Sequence, residues 1–251
     1  MTRPFVFAWH FLTAIPISRT HHEPTAPELA ASMAWYSTIG LLIGGLLALA
    51  DSGLRWWVAP EVGNALLILL VVLLTRGLHQ DGLADTVDGL AGGRTIEDRL
   101  RIMRDPRVGA FGATALFLSL LLRYAGLLAL PPALRLPVLL CMPALGRWAM
   151  VSLAWASPSA RREGGLAASF LAHLSWHHVL LSSLVLAAAL TITLGGAAAI
   201  ATLGMGTLLL VLIRQRCLTL LGGVTGDVLG ATNELIEILF LLTLPALVLA
   251  R

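Results

Sequence analysis

Residues 62–89 read VGNALLILLVVLLTRGL–HQDGLADTVDG, an apolar run that stops at Arg76-Gly77 and passes directly into an acidic stretch. The first part, about 17 residues long, is enough helix to cross most of a bilayer's hydrocarbon core. The second part places Asp81, Asp85 and Asp88 at i, i+4 and i+7. In a helix those positions fall within about 60° of one another on one face. A membrane span that ends in a carboxylate-bearing helix is therefore the unit from which the chain is read.

The pattern repeats outward in both directions. Apolar runs at 33–50, 62–78, 111–130, 137–156, 179–196, 197–213 and 235–250 predict about seven spans, with six to eight allowed. The division of 179–213 rests on Gly195-Gly196 and on a length too great for one crossing, and it predicts two short helices. Pro137 and Pro143 are expected to start and kink the fourth span. Composition agrees: 57% of residues are hydrophobic and 12% charged, against roughly 45–50% and about 25% in soluble domains. The predicted fold is an all-α polytopic membrane helix bundle, one integral-membrane domain over residues 1–251. The opening MTRPFVFAWHFLTAIPIS has no small-residue cleavage site after its apolar stretch, and predicts a short N-terminal interfacial or re-entrant helix kept in the mature protein.

All 17 basic residues are arginine. That usage fits a GC-rich genome, and it also fits the two-point pairing of guanidinium groups with phosphates and carboxylates. Arg3, Arg19, Arg76, Arg94, Arg99, Arg101, Arg104, Arg107, Arg161, Arg162, Arg214 and Arg216 fall on one side of the predicted membrane. Arg55, Arg135 and Arg251 fall on the other, while Arg123 and Arg147 lie inside spans. The 12-to-3 excess assigns the first side to the cytoplasm. The loops at 79–110 and 214–234, which carry most of the acids, then share that side. No basic stripe stands clear of the apolar runs, so nucleic acid is not an expected partner. Cys141 and Cys217 form no metal or redox motif and read as buried thiols. Trp56, Trp57, Trp155 and Trp176 sit at span ends as interface anchors. The pairs His21-His22 and His177-His178 lack supporting carboxylates and read as incidental.

Three carboxylates on one face repel unless a cation lies among them. Hard oxygen donors around an open position favour Mg²⁺, which takes one or two carboxylates with water and phosphate oxygens. The alternative is a solvated face paired with Arg94 and Arg99, but charges beside a long apolar span are costly and usually functional. A second acidic row in GDVLGATNELIE at 226–237, Asp227, Glu234 and Glu237 at i, i+7 and i+10, predicts one face of a helix that runs directly into the last span, so Glu237 should face the bundle interior, with an interfacial cap of snorkelling acids as the alternative. Between the two rows, RDPRVGAFG at 104–112 offers Asp105 as a further ligand and Arg104 and Arg107 to a phosphate, with positive-inside anchoring as the plainer account of the arginines. His79 is a candidate ligand or proton carrier.

Taken together, HQDGLADTVDG (79–89), RDPRVGAFG and GDVLGATNELIE, in that order and spacing, resemble the cobalamin synthase (adenosylcobinamide-GDP ribazoletransferase) family; FLTAIPIS at 11–18 and Arg147 also fit. Gln80 stands where that family favours an aliphatic residue, Arg104 replaces a frequent lysine and Pro106 a small polar residue. The acids are unchanged. The resemblance implies transfer of a substituted phosphate: α-ribazole or its 5′-phosphate is joined to adenosylcobinamide-GDP and GMP is released. It implies a Mg²⁺ cofactor on Asp81, Asp85 and Asp88, with Glu237 as a further ligand. Asp105, Glu234, His79 and Arg104 would then be catalytic, with Asp105 or Glu234 as proton acceptor, and Arg107, Asn233, Asp227 and Arg147 would bind substrate. The expected setting is the bacterial cytoplasmic membrane with the site facing the cytoplasm. The expected partners are these substrates, the bilayer, further copies of the chain in a homo-oligomer and other late enzymes of the pathway. Two other readings are a CDP-alcohol phosphotransferase, whose alanine-arginine pair after the first Asp-Gly is missing here, and a cation-coupled transporter, whose acids would spread across the membrane's depth.

Overall fold

A computed structural model describes residues 2–18, 24–161 and 170–249, so Arg19, His21, His22, Arg162 and Arg251 lie outside the described residues. Among the described residues the chain is helical, with one isolated parallel bridge between Ser159 and Val224. The helices are α1 (Thr2–Leu12), α2 (Ala26–Met33), α3 (Tyr36–Leu54), α4 (Pro60–Thr75), α5 (Leu78–Gly92) and α6 (Ile96–Ile102). They continue as α7 (Ala110–Ala129), α8 (Pro132–Ala156), α9 (Trp176–Leu194), α10 (Gly196–Leu221) and α11 (Gly226–Leu249). Six of them, α3 and α7 to α11, are long and apolar enough to cross a membrane, and α4 with α5 makes a seventh if the bent pair counts as one broken span. The chain is a multi-pass membrane helix bundle.

The elbow between α4 and α5 turns by 88°. It is made by two successive left-handed residues, Arg76 at φ 55° and Gly77 at φ 66°. Glycine adopts that region freely, whereas arginine does not; Arg76 is anchored there by donating from Nη2 to the His10 carbonyl at 2.8 Å. The Ala14 amide also donates to the Leu74 carbonyl at 2.6 Å, so the segment after α1 is tied to the elbow. α1 has 11 residues, too few for a crossing. The predicted break at Gly195-Gly196 is present: α9 ends at Leu194, and Gly195 has φ 81° and ψ 160°, a conformation nearly confined to glycine. The expectation of two short helices is corrected, since they run to 19 and 26 residues.

Two boundaries also differ from those read in the sequence. α8 begins at Pro132, and Pro137 and Pro143 both lie inside it. Neighbouring helices in a membrane bundle let prolines sit within a helix. The last helix begins at Gly226, nine residues before the predicted span start at 235, and includes the second acidic motif, as the spacing of its acids predicts.

α8 is the most buried span, packed by α3, α9, α10 and α11, and α11 in turn packs on α5. α3 meets α8 through small residues. A Cβ on Gly40 would stand 2.6 Å from the Ala144 amide nitrogen, and one on Gly44 would stand 2.7 Å from the Leu139 carbonyl oxygen. Backbone atoms cannot yield as a flexible side chain can, and such small-residue seams set helix approach in membranes. Gly44→Val is therefore expected to destabilise the bundle by about 1–3 kcal/mol, the usual cost of overpacking. Gly45→Val, whose added atom meets nothing within 4 Å, is the control. Equal unfolding temperatures for the two variants in detergent would remove the close seam.

Candidate active site

The carboxylate face predicted for 79–89 is present on α5, and it runs from open to enclosed. Asp81 is exposed, Asp85 half-buried and Asp88 buried. Arg99, offered in the sequence as a partner for the acids, instead donates to the Leu220 carbonyl at 3.0 Å, which ties α6 to the end of α10.

α11 lies against this helix because both surfaces are cut down to glycine. A Cβ on Gly82 would fall 2.7 Å from the Asp227 carbonyl oxygen, and Gly230 faces the Gly82 and His79 backbones. The contact brings Asp227 opposite the α5 face. Asp85 stands within electrostatic reach of Asp81, Asp227 and Asp88, and of the guanidinium of Arg161. Asp227 itself is held by Arg161 Nη2 at 3.0 Å and by the Thr225 hydroxyl at 3.2 Å. Beside Asp81, at the α4–α5 elbow, opens a cavity of about 480 Å³ whose walls include Phe11, Arg76, Leu78, Val108 and Leu116.

Asp88 has a different task from the other two. One carboxylate oxygen accepts from the Gly109 amide at 2.7 Å and the other from the Gly112 amide at 2.8 Å. It thereby satisfies free N–H groups at the start of α7 and fixes the 104–112 loop beside α5. Of the three aspartates expected to hold a metal, it is the one whose two oxygens both accept from backbone amides.

In that loop Arg104 and Arg107 are exposed. Asp105 accepts from Arg107 Nε at 2.9 Å, Nη2 at 2.8 Å and the backbone amide at 3.0 Å. These bonds hold the Asp105 carboxyl down at about 2. While so paired it is a weak proton acceptor, because a general base works best with a pKa near the operating pH.

The remaining candidates lie in the bundle interior. Glu234 takes Arg123 Nη2 at 2.9 Å and the Ser119 hydroxyl at 3.2 Å. Glu237 takes Arg123 Nη1 at 2.7 Å, Arg147 Nη1 at 2.5 Å and Asn233 Nδ2 at 2.9 Å. All six of these residues are buried to within a few per cent of complete. Two arginines and two glutamates balance in charge, and Asp227 and Glu237 are separated by about 15 Å of helix rise at 1.5 Å per residue. Glu237, expected as a metal ligand, Glu234, expected as proton acceptor, and Arg147 and Asn233, expected as substrate contacts, are thus joined with Arg123 in one buried network, in which Arg147 Nε and Asn233 Oδ1 keep no partner among the described residues. Arg123 was not singled out in the sequence for the site, and it is the residue that joins both glutamates. His79 is buried, its Nδ1 3.4 Å from Arg147 Nη2. A guanidinium can only donate, so Nδ1 must accept and the proton belongs on Nε2. Cys141 and Cys217 are buried free thiols, as read.

Among the described residues no three histidine, cysteine, aspartate or glutamate side chains close into a ready cage for a metal. The donor set instead offers carboxylates on facing helices, open on one side. That fits Mg²⁺, whose coordination is ordinarily completed by water and by the substrate's phosphates.

This is a polytopic membrane protein with a divided acidic site, half on α5 and half on the start of α11. A family model described as cobalamin-5-phosphate synthase matches residues 4–245, and the chain belongs to that family. It is a transferase of cobalamin biosynthesis. Among curated relatives, the adenosylcobinamide-GDP ribazoletransferase of Chlorobaculum tepidum is 39% identical, covering 94% of this chain and 92% of the relative. Those of Syntrophobacter fumaroxidans and Desulfitobacterium hafniense are also 39% identical, with 94% and 96% of this chain and 96% and 95% of theirs covered. No solved structure matches the chain.

Proposed function

We propose that the protein joins adenosylcobinamide-GDP to α-ribazole or its 5′-phosphate with release of GMP, in a Mg²⁺-dependent transfer at the cytoplasmic face of the bacterial inner membrane. The observation that carries this reading is the meeting of α5 and α11 at Gly82 and Gly230, which sets Asp227 opposite Asp81 and Asp85. A ribose hydroxyl of the acceptor attacks the phosphorus on the cobinamide side arm, and the bond to GMP breaks. Mg²⁺ held by Asp81 and Asp85, with Asp227 facing them, would neutralise charge on the diphosphate and the departing GMP. The protein's own part is positioning and electrostatics, as in other phosphoryl transfers.

Asp88 holds the 104–112 loop, which carries Arg104 and Arg107, beside α5 through the Gly109 and Gly112 amides. When Arg107 turns to a phosphate oxygen, Asp105 loses the bonds that depress its pKa and becomes able to accept the hydroxyl proton. The cavity beside Asp81 gives the substrate an apolar wall. The cytoplasmic orientation is supported by the 12-to-3 distribution of arginines.

The test is incubation of the purified chain with adenosylcobinamide-GDP and α-ribazole, with and without Mg²⁺, followed by assay of GMP. GMP formed only with both substrates and the cation is the expected result. Release of CMP from CDP-diacylglycerol, with none from the corrinoid nucleotide, would overturn it.

A further inference from the structure

Arg161 is the guanidinium that enters the acidic cluster, and it is delivered there by backbone. The Ala160 amide donates to the Val224 carbonyl and the Val224 amide to the Pro158 carbonyl, both at 2.9 Å. Gly223 lets the two strands touch, since a Cβ there would stand 2.7 Å from the Ala160 nitrogen. The Arg161 amide also meets the Ser159 hydroxyl at 3.3 Å, and that hydroxyl donates to the Arg161 carbonyl at 3.1 Å. A pinned backbone confines any movement of this residue to its side chain.

That side chain is only partly used. Nη2 donates to Asp227, with both side chains about a quarter exposed. Nε is buried and has no acceptor among the described residues. A guanidinium offers five donors in a planar fork that matches phosphate oxygens, so the group is placed among carboxylates with donors to spare. Its charge also reaches Asp85 on the facing helix. A divalent cation at Asp81, Asp85 and Asp227 and the Arg161 guanidinium would compete for the Asp227 carboxylate, since two cations on one carboxylate repel. An arriving diphosphate brings the oxygens that a displaced guanidinium needs.

We propose that Arg161 is a substrate-positioning residue that exchanges Asp227 for a phosphate oxygen of the bound nucleotide diphosphate, yielding the carboxylate to the divalent cation as it does so. The proposal rests on the functional reading above and adds to it the residue that couples cation binding to substrate binding.

The test uses the full-length chain in detergent. Mn²⁺ binding without substrate is measured by electron paramagnetic resonance, and KM for adenosylcobinamide-GDP and for α-ribazole is measured separately. Arg161→Gln is expected to bind Mn²⁺ about threefold or more tightly, because a competing positive charge has left. Its KM for the nucleotide is expected to rise about tenfold or more, with the acceptor KM unchanged. Arg161→Lys keeps the charge without the fork, so it should bind Mn²⁺ like wild type and show a raised nucleotide KM; it decides the matter if Arg161→Gln does not fold. Wild-type KM for the nucleotide in the variants, or weaker Mn²⁺ binding in Arg161→Gln, would reduce the pair to a structural tie and overturn the proposal. If the wild-type chain made no GMP, the functional reading would fail on its own. The Mn²⁺ arm would still judge Arg161, with tighter binding supporting the competition and unchanged or weaker binding ending it.

Discussion

Asp85→Asn is expected to cut GMP formation by two orders of magnitude or more, on the scale of losing a metal's charge stabilisation, while the unfolding temperature stays at or above that of wild type. The two effects have opposite signs for one reason. Asp85 sits half-buried within reach of three other carboxylates and one arginine. Among the described residues no hydrogen bond or ion pair holds its carboxylate, and removing a like charge from such a cluster relieves repulsion. The same repulsion favours a divalent cation among the carboxylates, so relieving it is expected to weaken the proposed cation site. Strain of this kind is kept where function needs it. Turnover measured across a Mg²⁺ titration separates a weakened cation site, which excess Mg²⁺ partly rescues, from a lost proton acceptor, which it does not. Wild-type turnover at ordinary Mg²⁺ would remove Asp85 from the mechanism. A large fall in unfolding temperature would show that the carboxylate is structural.

Much of this site was legible in the sequence, for identifiable reasons. Asp81 and Asp85 could be placed on one helix face because helical spacing is a local property. The same spacing could not reveal that Asp88 faces the amides of Gly109 and Gly112, more than twenty residues away. The spans were legible because lipid demands long apolar helices, and the break at Gly195 because its backbone geometry is nearly confined to glycine. The helix over the second acidic motif was legible in the i, i+7 and i+10 spacing of Asp227, Glu234 and Glu237, although the apolar run of the span starts only at 235. The spacing could not show that Gly230 serves the close approach to α5, which is a tertiary fact. The pairing of Arg123 with Glu234 and Glu237 spans more than a hundred residues. A signal for it existed all the same: two arginines and two acids inside apolar spans cannot remain unpaired in a bilayer, and their equal number points to a closed network.

That network sets up the second large effect. Glu237→Gln leaves Arg123 and Arg147 with one carboxylate between them, Glu234, in a site that is almost wholly buried. Breaking a buried ion pair by removing one partner costs roughly 3–5 kcal/mol, because the stranded charge remains desolvated. A sharply lower unfolding temperature and poor recovery of folded protein in detergent are therefore expected. A paired change restores the charge balance: Arg147→Met added to Glu237→Gln should recover part of the lost stability, with a coupling energy outside the range of independent sites. The measurement also decides between two roles for Glu237. As a metal ligand, its loss would weaken Mg²⁺ dependence and leave folding intact. As the centre of the arginine network, its loss lowers stability, while the folded fraction, assayed at low temperature, keeps the wild-type Mg²⁺ requirement. Arg123 Nη1 and Arg147 Nη1 at 2.7 and 2.5 Å already occupy both of its oxygens, and a carboxylate engaged in that way holds helices α7, α8 and α11 together, which favours the network role.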